Sequence, residues 1–454
     1  MLLHFNAFTQ CAVGLQSFGQ WRNPRDRTPT GYKDVRFWIE IAQILERGCF
    51  DALFFADVHG VYDVYQQKPD AGIRYAVQFP GNDPTLLLPA LAQVTQHLGF
   101  IVTYSTTYYP PYHTAKLFSS LDHFTNGRIG WNIVTSYLPS AYRNGMGQRL
   151  PHDERYDRAD EYMEVLYKLW EQSWDEDAIV QNVAHNMFAD PARVHAINHQ
   201  GKYFNVQGPH MCEPSPQRTP LLLQAGQSKR GTQFGATHAE ALFVSYPNTE
   251  TAKIHTTRIR ESIAAQGRNP RHVKLLTEVA VIVAETEREA RAKEQQLRSY
   301  ATAEGAFTLY GGWTGADLAQ LKDDEELKNS RSEGIQNVAR WFAKQDPTKR
   351  WTLAEVGEAM KLAGTAVVLV GTPDHVADEL ERWADEGGVD GFNLVPIEQP
   401  GSQRDFVDLV VPELQRRGRM RTVYEGTTLR EHVLGKGQAR LVADHVGRKS
   451  KALQ

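Results

Sequence analysis

The chain has 454 residues, of which 41% are hydrophobic and 23% are charged, as in an ordinary globular protein. Its 50 Lys and Arg nearly balance its 54 Asp and Glu, so we expect neither a nucleic-acid-binding face nor a polybasic membrane anchor. The three cysteines, Cys11, Cys49 and Cys212, are too few and too widely spaced for a disulfide framework or a cysteine-based metal site. The length fits about three average domains or one large barrel with insertions.

No export signal and no membrane-spanning segment is predicted from the sequence. No basic stretch followed by an apolar one occurs at the start, and no run approaches about 18 apolar residues. Together with the unpaired cysteines, this composition predicts a soluble protein of a reducing, cytoplasmic compartment.

Short apolar segments that predict strands alternate with amphipathic helical segments along most of the chain. The first unit is a strand near 2–8, a helix with apolar residues recurring from Val35 to Leu45, and a continuous apolar run at 51–57. Continuous apolarity is typical of a parallel strand that is buried on both faces. Further strands are predicted at 100–106, 129–136, 220–226, 240–246, 273–284, 365–371 and 391–397, with helices at about 84–98, 113–124, 374–386 and 405–417.

These nine candidate strands are one more than a (β/α)8 barrel needs. We exclude 365–371, because a Gly-Thr-Pro sequence ends it and it follows a long irregular stretch. A doubly wound open sheet is the alternative, but the glycine fingerprint of its first strand-to-helix turn is missing. The pattern therefore favours an α/β fold of the (β/α)8 TIM-barrel type.

Two segments, at about 137–219 and 285–362, are too long to be simple connections. Insertions after barrel strands lie on the face where active sites form, and we expect the second one to act as a lid. The polar, basic tail at about 422–454 is expected at the surface or against a partner subunit. On this view residues 1–454 form one barrel domain.

Polar side chains follow several predicted strands, at the ends where barrel active sites gather. Asp57 ends an apolar run, where an unpaired carboxylate is costly, although a turn or helix-capping aspartate is the alternative. The hydroxyls from Thr103 to Thr107, and those of Ser136 and Tyr137, indicate a polar pocket rimmed by aromatic rings. For each threonine the alternative is a purely structural role, because threonine is a good strand former.

Two predicted helix starts carry further candidate residues. His152 and Tyr156 lie one turn apart at the start of a clear helix, where they share a face, although a structural capped helix is the alternative. Ser228 is placed as the N-cap of a later helix, where free backbone N–H groups attract an anion. Arg230 is placed to add charge-assisted hydrogen bonds there.

Other catalytic constellations are not indicated. His195 and His199 have the spacing of helical metal ligands, but no Glu accompanies them and we expect no metal site. No nucleophile elbow and no plausible cysteine–histidine pairing occur, which disfavours hydrolases. The identity of a catalytic acid or base stays open.

Taken together, these segments resemble the bacterial-luciferase-like flavin monooxygenases of the nitrilotriacetate and dibenzothiophene-sulfone monooxygenase type. The resemblance runs from about Asn6 to about Leu434, and within the family it is greatest to the dimethyl-sulfide and long-chain alkane monooxygenases. The stretches that carry it are 50–57, 130–136, 152–156, 159–162, 168–174 and 224–226, and for the narrower branch 61–65, 82–84, 212–220, 309–315 and 390–394.

The resemblance implies a luciferase-like barrel that works as a two-component monooxygenase. It would use reduced FMN and O2 to oxygenate a small apolar or organosulfur compound, with a separate NAD(P)H:FMN reductase supplying the flavin. The family is also expected to form homodimers or homotetramers. Alternatives are long-chain alkane hydroxylation, a non-catalytic flavin-binding barrel subunit, or hydride transfer with the deazaflavin F420. The positions matched to FMN contacts are Asp57, Thr103, Ser136, Tyr137, His152, Tyr156 and Ser228.

By the same resemblance, Asp57 and Thr103 would line the isoalloxazine ring and Ser228 would bind the phosphate. His152 and Tyr156 would hold the phosphate or the ribityl chain, with Ser136 and Tyr137 as flavin or substrate neighbours. The chain departs from the alkane branch at four positions. Where that branch has Cys or His, this chain has Ala12, Leu15, Tyr137 and Leu309, which favours the sulfide branch.

Overall fold

The computed structural model describes residues 1–329 and 333–449. Eight parallel strands form a closed barrel, in which each strand pairs with the next along the chain and the last pairs with the first. The predicted (β/α)8 fold is therefore confirmed. The barrel strands are β1 (His4–Gln10), β2 (Ala52–Ala56), β3 (Gly99–Ser105), β4 (Ile129–Val134), β9 (Leu221–Gln224), β10 (Ala241–Val244), β11 (Lys274–Val283) and β13 (Gly391–Leu394).

Five strands lie outside the ring. β5 (Ile179–Asn182) pairs with β6 (Met187–Ala189), and β7 (His199–Gln200) pairs with β8 (Asn205–Val206), as two antiparallel hairpins. Among the described strands, β12 (Val367–Gly371) pairs only with the second half of β11, from Val279 onward, whereas β10 and β13 pair with the first half up to Val279. Excluding 365–371 from the barrel was thus correct, because β11 is long enough to carry one extra neighbour above the ring.

Helices cover the outside of the barrel and form most of both insertions. The helix predicted at 35–45 is confirmed and ends at Gly48, whereas the one predicted at 84–98 is much shorter. The helices are α1 (Thr28–Gly31), α2 (Val35–Arg47), α3 (Asp70–Arg74), α4 (Leu88–Gln93), α5 (Pro111–Phe124), α6 (Pro139–Arg143), α7 (His152–Tyr167), α8 (Lys229–His238), α9 (Thr249–Ala265), α10 (Glu287–Tyr300), α11 (Ala303–Thr314), α12 (Glu333–Gln345), α13 (Leu353–Met360), α14 (Pro373–Asp385), α15 (Gly401–Asp405), α16 (Val411–Arg416), α17 (Leu429–Leu434) and α18 (Val446–Lys449).

The core has two layers, one on each side of the strands. Phe54 of β2 points into the barrel and packs edge-on against Phe8, whereas its neighbour Phe55 points outward and packs against Trp38 of α2. All four rings are buried, so adjacent strand residues supply opposite layers. This explains why the strands appear in the sequence as continuous apolar runs.

The segment 137–219 contains α6, α7 and both hairpins, and the segment 285–362 contains α10 to α13. Leu309 and Trp313 of α11 pack with residues that follow β2 and β4, so the second insertion lies over the carboxyl ends of the strands. Residues 330–332 of that insertion, and 450–454 of the predicted tail, lie outside the described residues. Among the described helices, none is long and apolar enough to span a membrane.

Candidate active site

The seven predicted site residues lie at the carboxyl ends of four adjacent strands and at the start of α7. Asp57 follows β2 directly, and Thr103 lies within β3. Ser136 and Tyr137 follow β4, and Ser228 follows β9. His152 and Tyr156 occupy the first and second turns of α7. Because β2, β3, β4 and β9 are neighbours in the barrel, these positions border one mouth.

The Ser228 turn and Tyr156 form a narrow cradle. Ser228 is the N-cap of α8, and its Oγ accepts a hydrogen bond of 3.0 Å from the backbone N–H of Gly231. The Tyr156 hydroxyl lies beside this turn, next to Gly226 and Gly231, and the centre of the Tyr156 ring lies 5.3 Å from that of the His152 ring. A side chain at Gly226 would have its Cβ 2.4 Å from the Tyr156 hydroxyl, so only glycine allows this approach.

Two arginines lie at this cradle. Arg230 pairs with Asp157 and Asp160 of α7, and its guanidinium carbon lies 5.6 Å from the centre of the Tyr156 ring. Its charge is thus already paired, and its predicted role in anion binding stays a prediction. Arg155 donates to the backbone carbonyl of Ser136, and its Nε is buried without a hydrogen-bond partner among the described residues. A buried guanidinium nitrogen without a partner is costly, so Arg155 is a further candidate anion contact, which no sequence motif indicated.

Ser136 adopts a left-handed backbone conformation, with φ of 59°. Its Oγ lies 2.7 Å from the Oγ of Ser105 at the end of β3, and the Ser105 Oγ also accepts from the backbone N–H of Thr107. For a residue other than glycine this conformation costs about 1 kcal/mol or more, so the surrounding bonds must hold it. The turn carries the next residue, Tyr137, towards the loop after β2.

Tyr137 ends a buried chain of hydrogen bonds. Its hydroxyl lies 2.7 Å from that of Tyr62, which donates to the Oε1 of Gln78 over 2.9 Å, and the Gln78 amide donates to the carbonyl of Leu15. Burial raises the pKa of Tyr137 to about 12, although 39% of the residue surface is accessible. Leu309 packs in the same cluster as Tyr62. The wall formed by Tyr62, Tyr137 and Leu309 therefore consists of apolar and uncharged side chains.

Asp57 directly follows β2 at the same mouth. Burial, and then the negative charge of Asp83, raise the pKa of Asp57 to about 8. Its Oδ2 is 3.4 Å from the Nε2 of His59, whose own pKa is lowered by burial. At neutral pH the Asp57 carboxyl is therefore mostly protonated and able to donate a hydrogen bond.

Further polar atoms at the mouth lack partners. Thr103 accepts a hydrogen bond of 2.9 Å from the Nδ2 of Asn132, and the Oδ1 of Asn132 is buried without a partner among the described residues. The Oε1 atoms of Gln10 and Gln224 are also buried without a hydrogen-bond partner among the described residues. Unpaired buried acceptors in a barrel mouth are typical of a site that binds a polar ligand. Within the described ranges, no group of three or more His, Cys, Asp or Glu could hold a metal ion.

Comparison with known proteins matches this chain to one family. The profile of the luciferase-like monooxygenases matches residues 15–391. The long-chain alkane monooxygenase of Geobacillus thermodenitrificans (strain NG80-2) is 48% identical over 446 residues, which cover 98% of this chain and 97% of that protein. The dimethyl-sulfide monooxygenase of Hyphomicrobium sulfonivorans is 47% identical, over 97% of this chain and 92% of that protein.

Solved structures match equally broadly. The crystal structure of DmoA from Hyphomicrobium sulfonivorans has a TM-score of 0.94 at 46% identity, covering 99% of this chain and 96% of that one. The structure of the riboflavin lyase RcaE with modified FMN and the substrate riboflavin has a TM-score of 0.90 at 35% identity, covering 99% of both chains. The barrel and both insertions are thus shared with these proteins over nearly their full lengths.

Proposed function

The chain belongs to the luciferase-like monooxygenase family, and from that premise we propose that it uses reduced FMN and O2 to oxygenate a small apolar or organosulfur compound. It is an oxidoreductase of the flavin-dependent monooxygenase type. The observation that carries the proposal is the set of groups that the ends of β2, β4 and β9 bring to one mouth. They are the Ser228 N-cap beside Tyr156, the carboxyl of Asp57 with its raised pKa, and the hydrogen-bonded pair of Tyr62 and Tyr137.

The cradle fits the phosphate end of FMN. The N-terminus of α8 offers free backbone N–H groups, Gly226 leaves room for close approach, and the Nε of Arg155 has no partner among the described residues. His152 lies half-exposed beside Tyr156, where it is placed to contact the phosphate or the ribityl chain. In this proposal Ser228 binds the phosphate, as the family resemblance implies.

The middle of the mouth fits the flavin ring. The protonated Asp57 can donate a hydrogen bond, and the unpaired Asn132 Oδ1 beside Thr103 can accept one. An isoalloxazine ring presents both acceptors and N–H donors, so the two sides are complementary. Reduced FMN supplies the electrons that activate O2, and the residues around it position the ring and exclude water.

The far wall supports an uncharged substrate. Leu15 and Leu309 are apolar and buried. Tyr62 and Tyr137 are uncharged at neutral pH, as tyrosines ordinarily are, and burial raises the pKa of both hydroxyls further. Such a wall favours a small compound with an apolar body and a weak acceptor, such as a sulfide or sulfone. Long-chain alkane hydroxylation is the second candidate, because the alkane monooxygenase is as similar as the sulfide enzyme.

A separate NAD(P)H:FMN reductase completes the system we propose. The chain has no glycine fingerprint of a dinucleotide-binding domain that would take NAD(P)H itself. Reduced flavin would then arrive by diffusion at the mouth. We also propose that the barrel forms a homodimer or homotetramer in a cytoplasmic compartment.

The proposal is tested by a coupled assay with purified chain, an FMN reductase, FMN, NADH and O2. Sulfides, sulfones and alkanes are supplied separately, and products are identified by mass spectrometry. We expect an oxygenated product from at least one sulfide or sulfone. Tight anaerobic binding of reduced F420 in place of reduced FMN would overturn the cofactor assignment, and binding of reduced FMN with no product from any class would favour a non-catalytic barrel.

A further inference from the structure

A second cavity lies on the outer side of the Ser228 turn, between α8 and α9. Its volume is about 670 Å³. The apolar floor is formed by Leu242 and Val244 of β10, and the rim is completed by Trp341 and Lys344 of α12. The cavity touches the cradle at Gly226, but Asp57, Tyr62 and Tyr137 are not among its lining residues, so it lies apart from the ring and substrate positions proposed above.

The lining of this cavity carries positive charge and no negative charge. Lys229 at the start of α8, Arg258 of α9 and Lys344 of α12 all contribute, and no Asp or Glu lines it. None of the three forms an ion pair with a carboxylate in the part of the chain that the structure describes. Elsewhere most exposed arginines do form such pairs, as Arg291 and Arg382 illustrate. Three convergent, unpaired cations are the electrostatic signature of an anion site.

One face of α9 is built towards the cavity and not towards the core. The core side of this helix consists of Ala252, Thr256 and Ile263. The residues that line the cavity recur at helical spacing on a different face of α9, and all but one of them carry a group that can donate a hydrogen bond. It consists of Thr251, His255, Arg258, Ile259, Ser262 and Gln266.

The cavity also offers an aromatic surface. The His255 ring stacks on that of Tyr246, with centroids 5.3 Å apart and planes 13° apart. Burial, and then the charges of Lys344 and Arg258, lower the pKa of His255, so the imidazole is neutral and the field of both cations reaches into the cavity. With Trp341 at the rim, a planar ring has partners on which to stack.

We propose that this cavity is a second binding site for an aromatic compound that carries a phosphate group. The phosphate would lie among Lys229, Arg258 and Lys344, and the ring would lie against Trp341 and His255. Two sources share this chemistry, namely FMN itself and the nicotinamide nucleotide. FMN is favoured because Gly226, Gln227 and Lys229 line the cavity and flank Ser228, so a flavin here would be one turn away from the cradle.

This inference rests on the proposed function only for the role of FMN, and the two sites are separable by mutation. The variant R258Q/K344Q removes charge from the cavity and leaves the cradle intact. The variant S228A alters the cradle and leaves those cations intact. A matched control, K253Q/R271Q, removes two exposed positive charges that lie outside the cavity lining.

Binding is measured by equilibrium dialysis and calorimetry with oxidised FMN, riboflavin and NADH. We expect wild-type protein and K253Q/R271Q to bind two equivalents of FMN, and R258Q/K344Q to lose one of them or to bind it at least tenfold more weakly. S228A should keep the cavity equivalent, and riboflavin, which lacks the phosphate, should not bind there. NADH that binds in place of FMN and is lost in R258Q/K344Q would retain the site and assign it to the nicotinamide nucleotide.

Inorganic phosphate provides a check that needs no variant. In wild-type protein it should displace the weaker FMN equivalent first, because the cavity holds its ligand mainly through charge. One equivalent of FMN and no NADH bound to wild-type protein would overturn the inference. So would a second equivalent that binds equally well to R258Q/K344Q. Two FMN equivalents that bind to S228A as tightly as to wild-type protein would instead contradict the proposed cradle.

Discussion

The hydroxyl oxygens of Tyr62 and Tyr137 lie 2.7 Å apart, where the loop after β2 meets the turn after β4. The link extends through Gln78 to the carbonyl of Leu15, so residues from three parts of the chain hold one wall of the mouth. Trp313 of the second insertion packs against the cluster that contains Tyr62 and Leu309. The wall that we assign to the substrate is therefore in contact with the insertion that covers it.

Removing the Tyr137 hydroxyl should weaken substrate binding more than flavin binding. In Y137F the ring stays but the bond to Tyr62 is lost, and a buried hydrogen bond of this kind is worth about 1–2 kcal/mol, or roughly 5–30-fold in KM. KM for the best sulfide and the affinity for reduced FMN are measured in parallel. Tyr300, away from the mouth, supplies the control Y300F. Unchanged KM with weakened FMN binding would place Tyr137 against the flavin instead.

Ser228→Ala should weaken reduced FMN binding by about tenfold, because it removes one hydroxyl contact to the phosphate and the cap that orders the turn. The loss of the cap alone costs about 1 kcal/mol of stability. Thr372→Ala is the matched control, since Thr372 caps α14 in the same way and does not border the mouth. Anaerobic titration and urea unfolding separate the two effects. Equal FMN affinity in both variants would refute the phosphate assignment.

Asp57 should make the protein less stable as the pH rises. Its folded-state pKa of about 8 lies above the ordinary value of 3.8, so between these limits the folded protein holds a proton that the unfolded chain releases. Relative to D57N, wild-type stability should fall by up to roughly 1.4 kcal/mol per pH unit from about pH 4 to 8, and then level off. Urea unfolding of both proteins at several pH values measures this difference.

The variant D83N tests the cause of the Asp57 shift. Without the negative charge of Asp83, the pKa of Asp57 should fall. The pH range over which the free energy of unfolding decreases should then end at a lower pH. Parallel pH profiles of stability in wild type and D57N would contradict the assignment of a protonated Asp57.

The pair of Arg430 and Glu240 should attach the C-terminal helix α17 to the barrel. Both side chains are 0% exposed and lie 2.7 Å apart, and Arg430 also donates to the carbonyls of Thr219 and Pro220 at the start of β9. R430M leaves Glu240 buried without its counter-charge, which should cost about 3–5 kcal/mol. The double variant E240Q/R430M should recover most of that loss, because the unpaired charge is gone. Urea unfolding tests both, and equal stabilities of the single and double variants would contradict this role.

The fold was predictable from the sequence because each barrel strand buries both faces. The adjacent rings Phe54 and Phe55 illustrate this, since one points inward and the other outward. The extent of the helix predicted at 84–98 was not predictable. It stops at Gln93, and Arg128, just before β4, donates to the carbonyl of Ala92, which a longer helix would have bonded, and to that of Leu98.

The candidate site was predictable where a residue's position along a strand or helix end determines its place. Asp57 and Ser228 are of this kind, since each follows a barrel strand. The charges were harder to predict, because their partners are distant in the chain. The charge of Arg230 is paired with Asp157 and Asp160, some 70 residues earlier in the chain. Arg155, in contrast, donates to the Ser136 carbonyl through Nη1, and its Nε has no hydrogen-bond partner among the described residues. Local motifs do not contain this information.

The most direct test of the central claim uses no reductase. The chain is loaded anaerobically with one equivalent of chemically reduced FMN and the best sulfide or sulfone, and is then mixed with ¹⁸O2. The account predicts that the product carries one ¹⁸O atom per FMN oxidised, with little H2O2. Complete recovery of the reducing equivalents as H2O2, with no ¹⁸O in any sulfide, sulfone or alkane, would contradict it.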